Sequence, residues 1–156
     1  MEAQAGIQMT IQIINSDVLE GLATLADGSV NCCVTSPPYW GLRDYGMDGQ
    51  IGLEDTPEAF VARLVDVFRG VRRVLADNGT CWVNLGDSYA GGAAVGEKRP
   101  GSGRADGVVD DRAQRNRNGL GRVDGIKPKD LIGIPWRVAF ALQADGWYLR
   151  QDIIWN

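Results

Sequence analysis

There is no histidine among the 156 residues, and the three cysteines form no Cys-x-x-Cys pair. Those absences remove the common zinc ligand sets and any disulfide framework, so no metal site is expected. Cys32 and Cys33 sit in one apolar run and Cys81 in another, and all three read as small core residues. No apolar run approaches the ~20 residues that a membrane-spanning helix needs. The opening Met1-Glu2-Ala3-Gln4-Ala5-Gly6 has neither the basic start nor the apolar centre of a secretory signal, and a cytoplasmic location is expected. A positive balance is missing too. The formal net charge is -4, which does not by itself favour an anionic partner. No internal repeat is evident. Large apolar residues become scarce from 86 to 126, where Gly, Arg, Asp and Asn dominate and no regular element can be read. Within that stretch Gly91-Gly92-Ala93-Ala94-Val95-Gly96-Glu97-Lys98 has the outline of a phosphate loop. Glu97 separates Gly96 from Lys98 and no Ser or Thr follows, so the match is rejected.

What remains is an ordinary globular composition, 44% hydrophobic and 23% charged, long enough for one domain with a core. Thr10 to Asn15 alternates and reads as a strand. Asp17 is placed to cap a helix carrying Val18, Leu19, Leu22 and Leu25. Asp27-Gly28-Ser29 is a turn, and Val30 to Val34 reads as a buried parallel strand. Thr56 and Pro57 open a second helix with a wide apolar stripe, Phe60, Leu64, Val67, Phe68, Val71 and Leu75. Asn78-Gly79 stops it, and Thr80 to Leu85 is the next strand. A last helix begins near Asp130 or at Pro135 and ends near Gly146. Trp147 to Trp155 then reads as a strand. This order predicts an α/β fold of parallel strands with flanking helices. Arg112, Arg115, Arg117, Arg122, Lys127 and Lys129 are opposed in their span only by Asp124. That local excess suits either a phosphate-contacting surface or a solvated loop.

The most specific segment is Thr35-Ser36-Pro37-Pro38-Tyr39-Trp40, directly after the apolar run Val30 to Val34. Two prolines must end the strand, because neither can donate to a ladder. Their carbonyls, the Ser36 hydroxyl and the flat face of Tyr39 converge at a strand end. Such a set suits an exocyclic amine on a planar heterocycle, which points to chemistry on a nucleobase.

Ser36-Pro37-Pro38-Tyr39 resembles, at every position, motif IV of the amino-methylating DNA methyltransferases, Ser/Asp/Asn-Pro-Pro-Tyr/Phe/Trp. Asn15 to Leu19, Gly41 to Gly46, Gln50 to Glu54 and Lys127 to Trp155 are similar to the same family. The resemblance implies a Rossmann-like methyltransferase sheet and S-adenosylmethionine as cofactor. It implies DNA as partner and Ser36, Pro37, Pro38 and Tyr39 as the catalytic set. Asp17 would approach the cofactor's adenine end and Ser36 its amino-acid end. Trp40 and Arg43 would line the target pocket or face DNA. The local basic excess, separately from the resemblance, makes Arg112, Arg115, Arg117 and Arg122 the expected phosphate contacts. Trp82, Trp136, Trp147 and Trp155 are expected in the core. Serine at position 36 leans toward cytosine N4 as the acceptor, with adenine N6 as the alternative. RNA and protein-amide methyltransferases usually carry Asn at this position and a glycine-rich motif upstream, which this chain lacks.

The family's glycine-rich cofactor motif, Phe-x-Gly-x-Gly, has no match here. With motif IV near residue 36, the order resembles the circularly permuted beta class. The chain is therefore expected to be the N-terminal part of such an enzyme, residues 1–156 forming a partial catalytic domain with a long loop at 86–126. Its sheet should be incomplete at the C-terminus. It would rely on a C-terminal half or a second subunit for the missing motif, or be a non-catalytic DNA-binding remnant.

Overall fold

The computed structural model describes residues 10–91 and 123–155. Two parallel strands, β1 (Val30–Thr35) and β2 (Leu75–Val83), are joined through helix α2 (Pro57–Val74). The short helix α1 (Val18–Ala23) precedes β1, and α3 (Ile134–Ala144) comes last.

Local chemistry explains each boundary. Asp17 caps α1, its carboxylate accepting from the Leu19 amide at 2.9 Å. Thr56 caps α2 by accepting from the Ala59 amide at 3.1 Å, with Pro57 in the first turn. The sequence predicts that α2 runs on to Asn78, but the helix stops at Val74 because Leu75 turns to φ -72, ψ 138. Residues Ala76 to Gly79 form an irregularity in β2, so the regular ladder pairs Cys32–Thr35 with Thr80–Val83. Helix α3 starts at Ile134 with Pro135 in its first turn, the later of the two starts expected. Asp87, far away in sequence, caps it. The Asp87 carboxylate accepts from the amides of Gly133 at 2.9 Å and Ile134 at 3.0 Å, and from Ser88 at 2.9 Å.

The core lies between α2, α3 and one face of the sheet. Phe60, Leu64, Phe68, Val71, Leu75, Ile132, Ile134 and Val138 are buried in it, with Cys33, Cys81 and Val83 packed against it from the strands. The arginines at the end of α2 act as clamps between elements. Arg69 pairs with Asp145 at 2.6 Å, just past α3, and Arg73 donates to the Leu22 carbonyl at 2.7 Å and to the Asp27 carboxylate.

The other face of the sheet is bare among the described residues. Cys32, Val34, Thr80 and Trp82 point away from the helices, with Val34 79% exposed. Both β1 as a fully buried strand and Cys32 as a core residue are thereby corrected, since only one face of the ladder is covered. Two further expected strands are not formed among the described residues. Residues 10–15 and 147–155 join no ladder, and Ile11, Ile13, Ile154 and Trp155 are more than four-fifths exposed. A strand exists only through a partner, and neither segment has one among the described residues. Part of the stretch from residue 86, expected to hold no regular element, is paired, and residues 92–122 of it lie outside the described residues. Ser88 to Ala90 run antiparallel to Asp130 to Ile132, with Ala90 and Ile132 amides donating to Asp130 and Ser88 carbonyls at 2.8 and 2.9 Å.

Candidate functional site

In a parallel sheet both strands end on the same edge, and open α/β sheets bind ligands there. Here Ser36-Pro37-Pro38-Tyr39 leaves the end of β1, and Gly86-Asp87 follows the end of β2. The Asn84 amide donates to the Thr35 carbonyl at 2.9 Å, which holds the two strand ends together just before they diverge. Ser36 is exposed and Tyr39 half-buried. Their hydroxyls stand 3.5 Å apart, a long and weak contact that leaves the Ser36 oxygen able to accept from another group. Pro37 and Pro38 break the ladder as their chemistry requires.

The turn after Tyr39 is packed from below. The Gly41 amide donates to the Gly52 carbonyl at 2.7 Å, and a Cβ on Gly52 would lie 3.1 Å from the Tyr39 carbonyl oxygen and 3.3 Å from Pro38. Gly52 also sits at φ +107, so only glycine fits there on both counts. On the other side, a Cβ on Gly86 would lie 2.9 Å from the Tyr39 ring. The four-residue motif is thus held between two glycines, Gly52 and Gly86, and neither was singled out from the sequence. A glycine directly after an apolar strand, followed by Asp87, is the signal that was available for the second.

Trp40 corrects another expectation. It is 5% exposed, belongs to the core, and donates its indole N–H to the Glu54 carbonyl at 2.8 Å. A ring buried there is not available to stack on or face DNA. The expectation of a core position reverses for Trp82, Trp136 and Trp155 and holds in part for Trp147, which packs against the core. Trp82 and Trp136 are about half exposed and Trp155 is largely exposed, while Trp147 is partly buried against Phe68. Their periodic positions face surfaces that the described residues leave uncovered.

Arg43 is exposed and its side chain pairs with no described residue, Asp44 included. The loop around it is held by Gln50, whose side chain accepts from the Tyr45 amide at 2.8 Å and donates to the Arg43 carbonyl at 2.7 Å. Asp44 accepts from the Gly46 amide at 2.7 Å. Asp17 is an exposed helix cap at the start of α1. Arg112, Arg115, Arg117 and Arg122 lie outside the described residues. Cys81 faces Cys33 across the ladder, and burial, aided by the neighbouring thiols, pushes its thiol up to about 12. It stays protonated at neutral pH and is no nucleophile. Among the described residues, surface hollows of about 360 and 660 Å³ lie elsewhere. One is a groove between α2 and α3 lined by Val61, Val65, Arg69 and Arg137, and the other is in the loop lined by Asp44, Asp48, Gln50 and Arg63.

Comparison with known proteins decides the family. The N6_N4_Mtase family model, DNA methylase, matches residues 30–156, which include the strand-end motif and everything after it. The chain belongs to the DNA methylase family. It is 53% identical over 148 residues to the type II methyltransferase M.Cfr9I of Citrobacter freundii, covering 92% of this chain and 45% of that protein. It is 51% identical over 145 residues to M.SmaI of Serratia marcescens, covering 93% and 47%. A solved structure of a candidate DNA modification methylase from Thermus thermophilus is 39% identical over 47% of this chain and 29% of its own, with a TM-score of 0.37. This methylase chain spans about half the length of the curated relatives it matches. It is a mixed α/β chain, as expected, with a two-stranded parallel sheet among its described residues.

Proposed function

We propose that this chain supplies the target-base half of a type II DNA methyltransferase that methylates an exocyclic amine, cytosine N4 in preference to adenine N6. The observation that carries the reading is the exposed Ser36 hydroxyl beside the Tyr39 ring at the shared end of two parallel strands. An aromatic amine is a poor nucleophile because its lone pair is delocalised into the ring. Acceptors at the Ser36 oxygen and the Pro37 carbonyl hold both amine hydrogens and favour a pyramidal nitrogen with a free lone pair. Tyr39 stacks on the base, a contact worth about 1–3 kcal/mol. Since the amine is inaccessible inside a duplex, the base is flipped out to reach them. Most of the rate gain is then positioning.

S-adenosylmethionine supplies the methyl group when bound. Of this chain's residues, Asp17 and Ser36 are proposed to face it. Asp17 is exposed with one carboxylate oxygen on its own helix, which is compatible with a second role. The glycine-rich part of the cofactor pocket is proposed to come from a complementary C-terminal segment or subunit, which would also cover the bare face carrying Val34 and Trp82. The relatives' greater length supports this. Arg43 is proposed to line the target pocket, and Arg112, Arg115, Arg117 and Arg122 to contact phosphates.

The test joins this chain to the C-terminal half of M.Cfr9I and measures transfer of labelled methyl groups to unmethylated DNA. Ser36→Ala and Tyr39→Ala are each expected to lower the rate about a hundredfold or more, on the scale of lost positioning, with the fold intact by circular dichroism. Rates near that of the parent chimera would remove both residues from the chemistry. An inactive parent chimera that still binds DNA would favour the reading of a non-catalytic DNA-binding remnant.

A further inference from the structure

We propose that Gly86 is a positioning residue for Tyr39, glycine because the Tyr39 ring occupies the space where a side chain would stand. Glycines are kept for one of two reasons, a positive φ or a close approach. Gly86 does not have a positive φ, unlike Gly52 at φ +107 and Gly41 at φ +65. An alanine would be at ease with its backbone. Space is the obstacle. A Cβ at Gly86 would lie 2.9 Å from Cε2 of Tyr39, 3.1 Å from Cδ2 and 3.5 Å from Cζ.

The surroundings decide which side gives way. On one side of Gly86 the Asn84 amide is bonded to the Thr35 carbonyl at 2.9 Å. On the other, the Asp87 carboxylate is bonded to the amides of Ser88, Gly133 and Ile134 at 2.9–3.0 Å. The chain at residue 86 is therefore fixed from both directions. The Tyr39 backbone is fixed too, by Gly52 beneath its carbonyl and by the buried Trp40 next in sequence. What remains free to move is the ring, by rotation of its side chain. A methyl group at residue 86 would turn the ring away from the strand end and from the Ser36 hydroxyl. Gly86 thus sets the plane on which a base would stack. The consequence for catalysis rests on the proposed stacking role of Tyr39, whereas the contact itself does not.

The decisive experiment labels the 156-residue chain with 3-fluorotyrosine and follows it by fluorine magnetic resonance. The chain has four tyrosines, Tyr39, Tyr45, Tyr89 and Tyr148, and loss of one signal in Tyr39→Phe assigns the first. Gly86→Ala should move the Tyr39 signal and leave the other three in place. Denaturant unfolding of a double-mutant cycle accompanies it. Gly86→Ala should lower the midpoint of the parent chain but cause no further loss in a Tyr39→Ala background, where the ring is gone. If Gly86→Ala alone does not fold, recovery of folding in the double variant supports the contact equally. An unmoved Tyr39 signal, or an equal loss in both backgrounds, would overturn it. In the chimera assay Gly86→Ala should lower kcat on the order of a hundredfold with KM for S-adenosylmethionine unchanged. A kcat equal to the parent's would overturn the positioning role. If Tyr39→Ala leaves transfer intact, it is the stacking role that falls, while the resonance and unfolding results still judge Gly86.

Discussion

The candidate site comes down to two hydroxyls, those of Ser36 and Tyr39, 3.5 Å apart where the chain leaves β1. The end of β1 before Ser36-Pro37-Pro38-Tyr39 was legible because its chemistry is local: prolines end a strand wherever they stand. Trp40 was not, because its burial depends on the chain folding back so that its indole reaches the Glu54 carbonyl fourteen residues on. The clamp between Arg69 and Asp145 was equally hidden, its partners being 76 residues apart. Arg69 donates to the Asp145 carboxylate and, with Arg72 nearby, holds it below the usual carboxylate range. A carboxyl whose folded value is lowered adds stability above its unfolded value near 4, and that stability is lost as the pH falls through the folded value. Urea unfolding should therefore show a drop beginning below about pH 5 that is smaller in Asp145→Asn. An identical drop in the variant would show that the pair is screened to nothing.

At the scale of elements, the helix termini were read well where a cap adjoins its helix. Thr56-Pro57 and Asp17 behave as their residue types predict. The start of α3 left two choices because its capping carboxylate, Asp87, comes from the far end of a long connection. Asp87→Ala strips three amides of their acceptor, and an unsatisfied amide costs about 1–3 kcal/mol. Unfolding should report a loss of that order, and slowed hydrogen exchange at Gly133 and Ile134 should disappear. Unchanged stability would mean that water replaces the carboxylate. The segments 10–15 and 147–155 show the limit of reading strands from alternation. Alternation reports which side chains would share a face, but a ladder needs a neighbour, and the neighbour is not written in the segment itself.

At the scale of the molecule, the described residues cover one face of the sheet and leave the other bare, an unusual condition for a parallel sheet, which is normally packed on both sides. Val34 and Trp82, paired across the ladder, are exposed on the sheet, and Ile154 and Trp155 are exposed near the chain's end, apolar side chains that water does not favour. Sedimentation of the chain alone should show self-association, and calorimetry should show weak or no binding of S-adenosylmethionine. A monodisperse monomer with micromolar affinity would mean that the pocket is already complete. The arginine-rich stretch makes a separate prediction. Neutralising Arg112, Arg115 and Arg117 together should flatten the dependence of DNA affinity on salt by close to one unit of slope per lost phosphate contact. An unchanged slope would return that stretch to a solvated connection. Most directly, the central claim is tested by digesting DNA treated with the chimera and identifying the methylated nucleoside by mass spectrometry. The strand-end motif predicts N4-methylcytosine with the parent sequence and its loss in Ser36→Ala. N4-methylcytosine formed at the same level by Ser36→Ala, or methylation of adenine N6 alone, would contradict it.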